Sequence, residues 1–213
     1  VDLPKPAEIP KLIQKVVKIT ESFNPSIISN GLGTFLLSKA VHQAGIKVVL
    51  GGEGADELFG GYHKYTSSNS NWKEIRNQLI RDMPITELRR LDLASMANSI
   101  EVRCPFLDQQ IRNFSDHLDF DDLYQGQVNK FILRDSFQGL LPESILQRKK
   151  TSLDVGSGIR SMVVEYLTKN GQTERQGLKC IWNEHFEMDD SDLYFSSYPV
   201  FDALINKRGK VHR

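Results

Sequence analysis

Residues 46–50, IKVVL, constrain the fold more than any other stretch of this chain. A β-branched run with little polar interruption fits a strand buried on both faces, as in a parallel sheet. It follows GTFLLSKAVHQA at 33–44, which reads as a helix closed by Gly45, and runs into the glycine-rich turn GGEGADELFGG. Helix, glycine, buried strand and glycine-rich loop form the second half of a crossover unit, so the expected class is α/β. A parallel strand needs neighbours to satisfy its backbone donors and acceptors. No other segment reads as one, so the rest of the sheet is expected to come from elsewhere.

Around this unit the pattern is helical. Ile9, Leu12, Ile13, Val16, Val17 and Ile19 recur at helical spacing between lysines, predicting an amphipathic helix over 9–21. NPSIISNG at 24–31 reads as a break. TSSNSNW at 66–72 reads as a surface linker, and beyond it helices are expected at 72–82, 84–98, 108–117, 128–139, 155–168 and 174–186. Pro84, Pro105, Pro142 and Pro199 punctuate them. Two regions follow: 1–66, the closing part of an α/β sheet domain, and 67–213, a helical remainder.

Charge removes several function classes. Lysine plus arginine equals aspartate plus glutamate, 27 each, so no global field recruits nucleic acid or an anionic membrane. No apolar run reaches the roughly 18–20 residues a membrane span requires, and no signal sequence opens the chain. Cys104 and Cys180 lie far apart with no CxxC, which fits two reduced thiols in the cytoplasm. The histidines, among them His42, His63 and His212, form no HxxH or HxH cluster, so none reads as a zinc ligand. The chain begins at Val1 with a Pro-rich lead-in, consistent with a removed initiator Met or with a piece of a longer protein.

The chemistry concentrates in the acidic glycine loop. At the carboxyl end of a parallel strand it occupies the place where α/β proteins bind ligands. Glu53, Asp56 and Glu57 would repel a bare phosphate. They can reach one through Mg²⁺, which takes one or two carboxylates and completes its octahedron with phosphate oxygens and water. The plainer reading makes them acids at a helix start, favoured by its dipole.

LGGEGADELFGGYHKY at 50–65 resembles the signature LSGEGSDELFGGY of the asparagine synthetase family. DLASMANSIEVRCPFLD at 92–108 is similar to that family's DRMSMAHSLEVRVPFLD, and NKFILRDSFQGLLPESILQRKKTSL at 129–153 to EKYLLREALRGLLPEEILRRPKQGF. IWNEHF at 181–186 is a weaker echo near the family's usual end. The resemblance implies an ATP-pyrophosphatase domain of the adenine-nucleotide α-hydrolase-like kind, whose parallel sheet is followed by a mostly helical region. It also implies a ligase that adenylates a carboxylate with ATP and then forms an amide, releasing AMP and pyrophosphate.

The resemblance assigns roles to particular residues. Gly52, Glu53, Gly54 and Asp56 would meet the pyrophosphate, with Asp56 sharing Mg²⁺ with a loop from elsewhere. Lys150 would stabilise negative charge on phosphate and on the tetrahedral intermediate. Arg148 and Lys149 flank it, and Thr151, Ser152 and Leu153 depart from the family's Gln-Gly-Phe. Glu101 and Arg103 read as structural braces that form an ion pair. Glu87 stands where related β-lactam-forming enzymes place an acid that assists the attacking amine.

The family's earlier ATP loop, SGGxDS, has no match here; SNGLGT at 29–34 lacks both the order and the acid. A glutaminase domain is likewise absent from these residues. The expected partner is therefore a second polypeptide or amino-terminal segment that completes the sheet and the ATP loop, with or without a glutaminase domain. Asparagine formation, β-lactam closure and peptide macrocyclisation remain open, so the substrate is a small-molecule or peptide carboxylate. A non-catalytic scaffold derived from the family is the alternative, and an isolated Mg²⁺-nucleotide binder a third.

Overall fold

The computed structural model describes residues 1–62, 65 and 71–187. His63, His212, Pro199 and positions 66–70 of the expected linker lie outside the described residues.

The first helix, α1, runs Ile9–Thr20 and buries Ile9, Ile13, Val16 and Val17 on one face, as their spacing predicts. The second, α2, spans Pro25–Gln43, so NPSIISNG is a helix start and not a break. Asn24 caps it: its side-chain oxygen accepts from the amides of Ser26 at 2.9 Å and Ile27 at 3.4 Å. Pro25 then sits at the first helical position, where a missing amide proton costs nothing. Gly33, inside α2, lets another segment approach; an added Cβ would lie 2.9 Å from Leu153 Cδ2.

Strand β1, Val48–Leu50, leads from α2 to the acidic turn and the one-turn helix α3, Ala55–Leu58. Beyond the linker come α4, Trp72–Asp82, and α5, Glu87–Met96, with a short 3-10 turn at Met83–Ile85 between them. The expected all-helical remainder then needs correction. Glu101–Arg103 forms a second strand, β2, which pairs in parallel with β1 in the register Val48–Glu101, Val49–Val102 and Leu50–Arg103. The Glu101 amide donates to the Lys47 carbonyl at 3.0 Å, and the Gly51 amide to that of Arg103 at 2.7 Å. With two of its three residues charged, EVR carries no strand pattern of its own; β1 supplies the ladder that makes it one.

The expected burial of β1 on both faces also fails. Val48 is 41% exposed and Leu50 75%. Among the described residues β1 has one sheet neighbour, so the burial that its composition calls for is only half met.

The remaining elements are α6, Gln109–Asp116; α7, Phe120–Leu123; β3, Tyr124–Gln125; β4, Val128–Asn129; α8, Phe131–Ser136; and α9, Glu143–Leu146. They are followed by α10, Leu153–Ser157; α11, Ile159–Thr168; and α12, Glu174–Asn183. The helix expected over 128–139 begins instead as β4, paired antiparallel with β3. That expected over 155–168 is two helices, because Gly158 adopts φ 84° between them.

Two apolar clusters organise these pieces. One joins α1 and α2 to Ala94 of α5, Val163 and Leu167 of α11, and Leu178 and Trp182 of α12. The other gathers Leu58, Phe59, Tyr65, Trp72, Leu79, Leu118, Leu123 and Tyr124. Leu58 and Phe59 follow the acidic turn directly, so their burial, about 1.5–3 kcal/mol per side chain, anchors it. No helix among the described residues is long and apolar enough to cross a membrane.

Candidate functional site

The acidic turn begins where the Arg103 carbonyl holds the Gly51 amide at the carboxyl end of β1. Gly54 has φ 94°, a conformation that penalises side chains, and an added Cβ would fall 2.4 Å from Leu107 Cδ2. The chain then enters α3, which carries Asp56 and Glu57 on its first turn.

Asp56 and Lys150, assigned separately in sequence, meet in the structure. Lys150 Nζ donates to Asp56 Oδ2, and Lys130 Nζ donates to Oδ1 at 3.0 Å. The Asp56 side chain is only 16% exposed. Burial alone would raise its pKa, but the charges and hydrogen bonds of the two lysines outweigh burial and hold it below the usual carboxylate range. The Lys150 ammonium also stands 5.8 Å from the centre of the Tyr62 ring, within cation–π reach.

Glu57 points the other way, into the protein, and is 2% exposed. Its Oε1 accepts from the Tyr62 hydroxyl, and its carbonyl accepts from the Tyr65 hydroxyl at 2.7 Å. Burial pushes its carboxyl up; the Tyr62 hydrogen bond opposes this, while the charges of Glu87 and Asp56 add to it. The Tyr62 phenol is driven far above its ordinary value, first by burial and then by Glu57, Glu87 and Asp56. Tyr62 thus serves Glu57 as a hydroxyl donor.

Glu53 stays apart from the lysines. Its Oε1 lies 3.9 Å from Arg90 Nη2. Its charge, after burial, raises the neighbouring Cys104 thiol. Glu87 opens α5, accepts from the Thr86 hydroxyl and adds to the field at Glu57. Glu101 and Arg103 pair with each other at 2.7 Å on an exposed face of β2. Gly52 leaves open space, since an added Cβ would meet nothing within 4 Å.

The structure thus joins Asp56 and Lys150 and adds Lys130 and Tyr62, which sequence reasoning had not singled out; Glu57, read there with the phosphate-facing acids, turns inward instead. Lys130 lies inside a matched stretch, NKFILRDSF, and its charge there was the available signal. Nothing in the sequence marked Arg90 as the partner of Glu53. Lys130, Lys149 and Lys150 also line a cleft of about 390 Å³ whose other wall is apolar, with Phe106, Leu133 and Leu141.

No group of three or more His, Cys, Asp or Glu side chains able to hold a metal occurs among the described residues. Mg²⁺ in such sites is bound through one or two carboxylates plus substrate phosphates instead of an all-protein cage. Asp56 would supply such a carboxylate, and its two ammonium neighbours suit the phosphate oxygens that would accompany the ion.

The family model for asparagine synthase matches residues 4–86 and 81–186. The chain is 32% identical over 151 residues to asparagine synthetase B (glutamine-hydrolyzing) of Escherichia coli strain K12, covering 68% of this chain and 27% of that protein. It is 31% identical over 205 residues to asparagine synthetase (glutamine-hydrolyzing) 2 of Oryza sativa subsp. japonica, covering 88% and 32%. A probable asparagine synthetase (glutamine-hydrolyzing) of Acanthamoeba polyphaga mimivirus is 35% identical over 144 residues, covering 65% and 26%. The chain therefore spans between 26% and 32% of the length of these relatives.

Proposed function

The chain belongs to the asparagine synthase family, and from that premise we propose that it supplies one side of the active site of an ATP-dependent, amide-forming ligase. The observation that carries this reading is the Asp56 carboxylate gripped by Lys130 and Lys150 beyond the carboxyl end of a parallel strand.

In the first half-reaction a substrate carboxylate oxygen attacks the α-phosphorus of ATP, and pyrophosphate leaves with the electron pair of the broken P–O bond. Lys130 and Lys150 bind that leaving group and offset its growing charge in a partly buried setting, where such interactions gain strength. Asp56, with both oxygens occupied, fixes the two ammonium groups before substrate arrives. Mg²⁺, when bound at Asp56, would neutralise phosphate charge. In the second half-reaction an amine attacks the acyl carbon, and AMP departs. Glu53 would meet the pyrophosphate and Glu87 would assist the attacking amine; Arg90 lies 3.9 Å from Glu53 Oε1.

A second polypeptide or an amino-terminal segment completes the sheet and brings the SGGxDS loop, and with it the ATP site. The exposure of Ile46 at 46%, Val48 at 41% and Leu50 at 75% supports this reading. In a parallel ladder alternate residues bond to opposite sides. Lys47 and Gly51 bond β2, so the backbone of Val48 and Leu50 faces the outer edge. A glutaminase domain on the same partner would supply ammonia. The two free thiols fit a reaction in the cytoplasm.

The test is reconstitution: this chain with a segment bearing SGGxDS, assayed for carboxylate-dependent release of pyrophosphate from ATP. Release that requires both components is expected. A correctly assembled pair that releases none across aspartate, β-amino-acid and peptide carboxylates would replace the ligase with the scaffold reading.

A further inference from the structure

We infer that Arg134 is a positioning residue that clamps the two lysine-bearing segments into register on Asp56, an assignment that rests on the ligase reading above for its functional meaning. Its guanidinium serves four acceptors. Nε donates to the Asn129 carbonyl at 2.7 Å, and Nη2 donates to Asn129 Oδ1 at 2.9 Å and to the Arg148 carbonyl at 3.0 Å. Nη1 donates to the Leu146 carbonyl.

These acceptors lie one residue before Lys130, at Asn129, and two and four residues before Lys150, at Arg148 and Leu146. One planar group therefore sets the start points of both cations that meet at the same carboxylate. Asn129 extends the clamp to a third segment, since its Nδ2 donates to the Gly61 carbonyl at 2.8 Å, at the far end of the acidic turn. The Gly61 amide is in turn held by the Asp56 carbonyl at 2.7 Å. Arg134 never touches Asp56; it acts through Asn129, Lys130 and the loop after α9.

The backbone shows why a clamp is needed. Lys130 adopts φ 53° and ψ 42°, the left-handed region, which disfavours a residue with a side chain. Two ammonium groups converging on one carboxylate also repel each other. Both features persist only if the surrounding structure over-determines them. The rigid five-donor fork of arginine does this, whereas a lysine, with its donors at a single point, cannot span acceptors on two strands of chain.

Site-resolved acetylation tests the clamp without ATP, carboxylate or a second segment. The whole chain is labelled with limiting acetylating reagent, and each lysine is quantified by mass spectrometry, with exposed Lys11 and Lys169 as internal references. Arg134→Ala is expected to raise labelling of both Lys130 and Lys150 severalfold relative to the references. Unchanged relative labelling of the two overturns the assignment. If all lysines rise together, the variant has lost its fold, and Arg134→Lys decides. A selective rise at Lys130 and Lys150 in that variant supports the clamp; a uniform rise or none overturns it. Failure here leaves the ligase reading standing. Failure of pyrophosphate release with labelling as expected removes the ligase reading and leaves the clamp.

Discussion

Asp56 Oδ1 accepts a hydrogen bond from Lys130 Nζ at 3.0 Å across 74 residues of sequence. Lys150 takes the other carboxylate oxygen. Asp56→Asn removes the charge that holds both lysines and the proposed metal ligand. It is expected to lower pyrophosphate release by the reconstituted ligase by on the order of a hundredfold. Turnover equal to wild type in a steady-state assay would take Asp56 out of the chemistry.

The same ion pairs make stability depend on acid. The folded pKa of Asp56 lies below its ordinary value of 3.8, so the pairing stabilises the fold above that value and is lost as pH falls through the lower folded value. The melting-temperature advantage of wild type over Asp56→Asn should therefore be full at neutral pH and shrink below about pH 3.8. A gap that stays constant through that window would contradict the pairing.

Glu57 carries the opposite sign. Burial raises its folded pKa above 4.5, so its ionised form weakens the fold increasingly as pH climbs from 4.5 through the folded value. Glu57→Gln keeps an acceptor for the Tyr62 hydroxyl and deletes the buried charge. The variant is expected to melt above wild type at neutral pH, with the difference closing toward pH 4.5. Calorimetry across the range checks it; a variant that melts lower at neutral pH would show that the charge is needed for the fold.

Gly61 touches the site by having no side chain. A Cβ there would lie 1.8 Å from Asp56 Oδ1 and 2.7 Å from Asp56 Cβ. Gly61→Ala must displace Asp56 from its lysines, at a cost of roughly 1–3 kcal/mol in stability. Titration calorimetry with magnesium pyrophosphate should register a large loss of affinity. Undiminished binding would mean that the Asp56 position does not matter to the ligand.

The outer edge of β1 gives a test of assembly. Val48→Pro deletes an amide that faces away from β2, so the ladder to β2 survives while the outer edge loses a donor. Association with the sheet-completing segment, measured by co-purification, is expected to fall while the secondary structure of the chain is retained. Full association would place the partner elsewhere.

Much of the fold follows from local chemistry. Helix α1 is written in the spacing of Ile9, Ile13, Val16 and Val17, and α4 over Trp72–Asp82 coincides with the expected helix over 72–82. Where the reading went astray, a residue's meaning depended on its neighbours in space. Asn24 and Pro25 are breakers in a list of propensities but a cap and a first turn once α2 packs. Gly33 weakens a helix in isolation, yet it is where Leu153 approaches. Glu101–Arg103 has almost no strand character and becomes a strand because β1 lies beside it.

The sequence by itself determined which residue types the candidate site offers: carboxylates on a tight turn after a β-branched strand, and a lysine in a matched stretch far downstream. Those are properties of residue type and short-range order, which the chain carries unfolded. Only the tertiary structure decided their pairing. It sent Glu53 to Arg90 and Glu57 to Tyr62, and left Asp56 to two lysines brought in by α8 and the loop after α9. A carboxylate's partner depends on which cations the packed elements deliver within about 4 Å, and that proximity is a product of the whole fold.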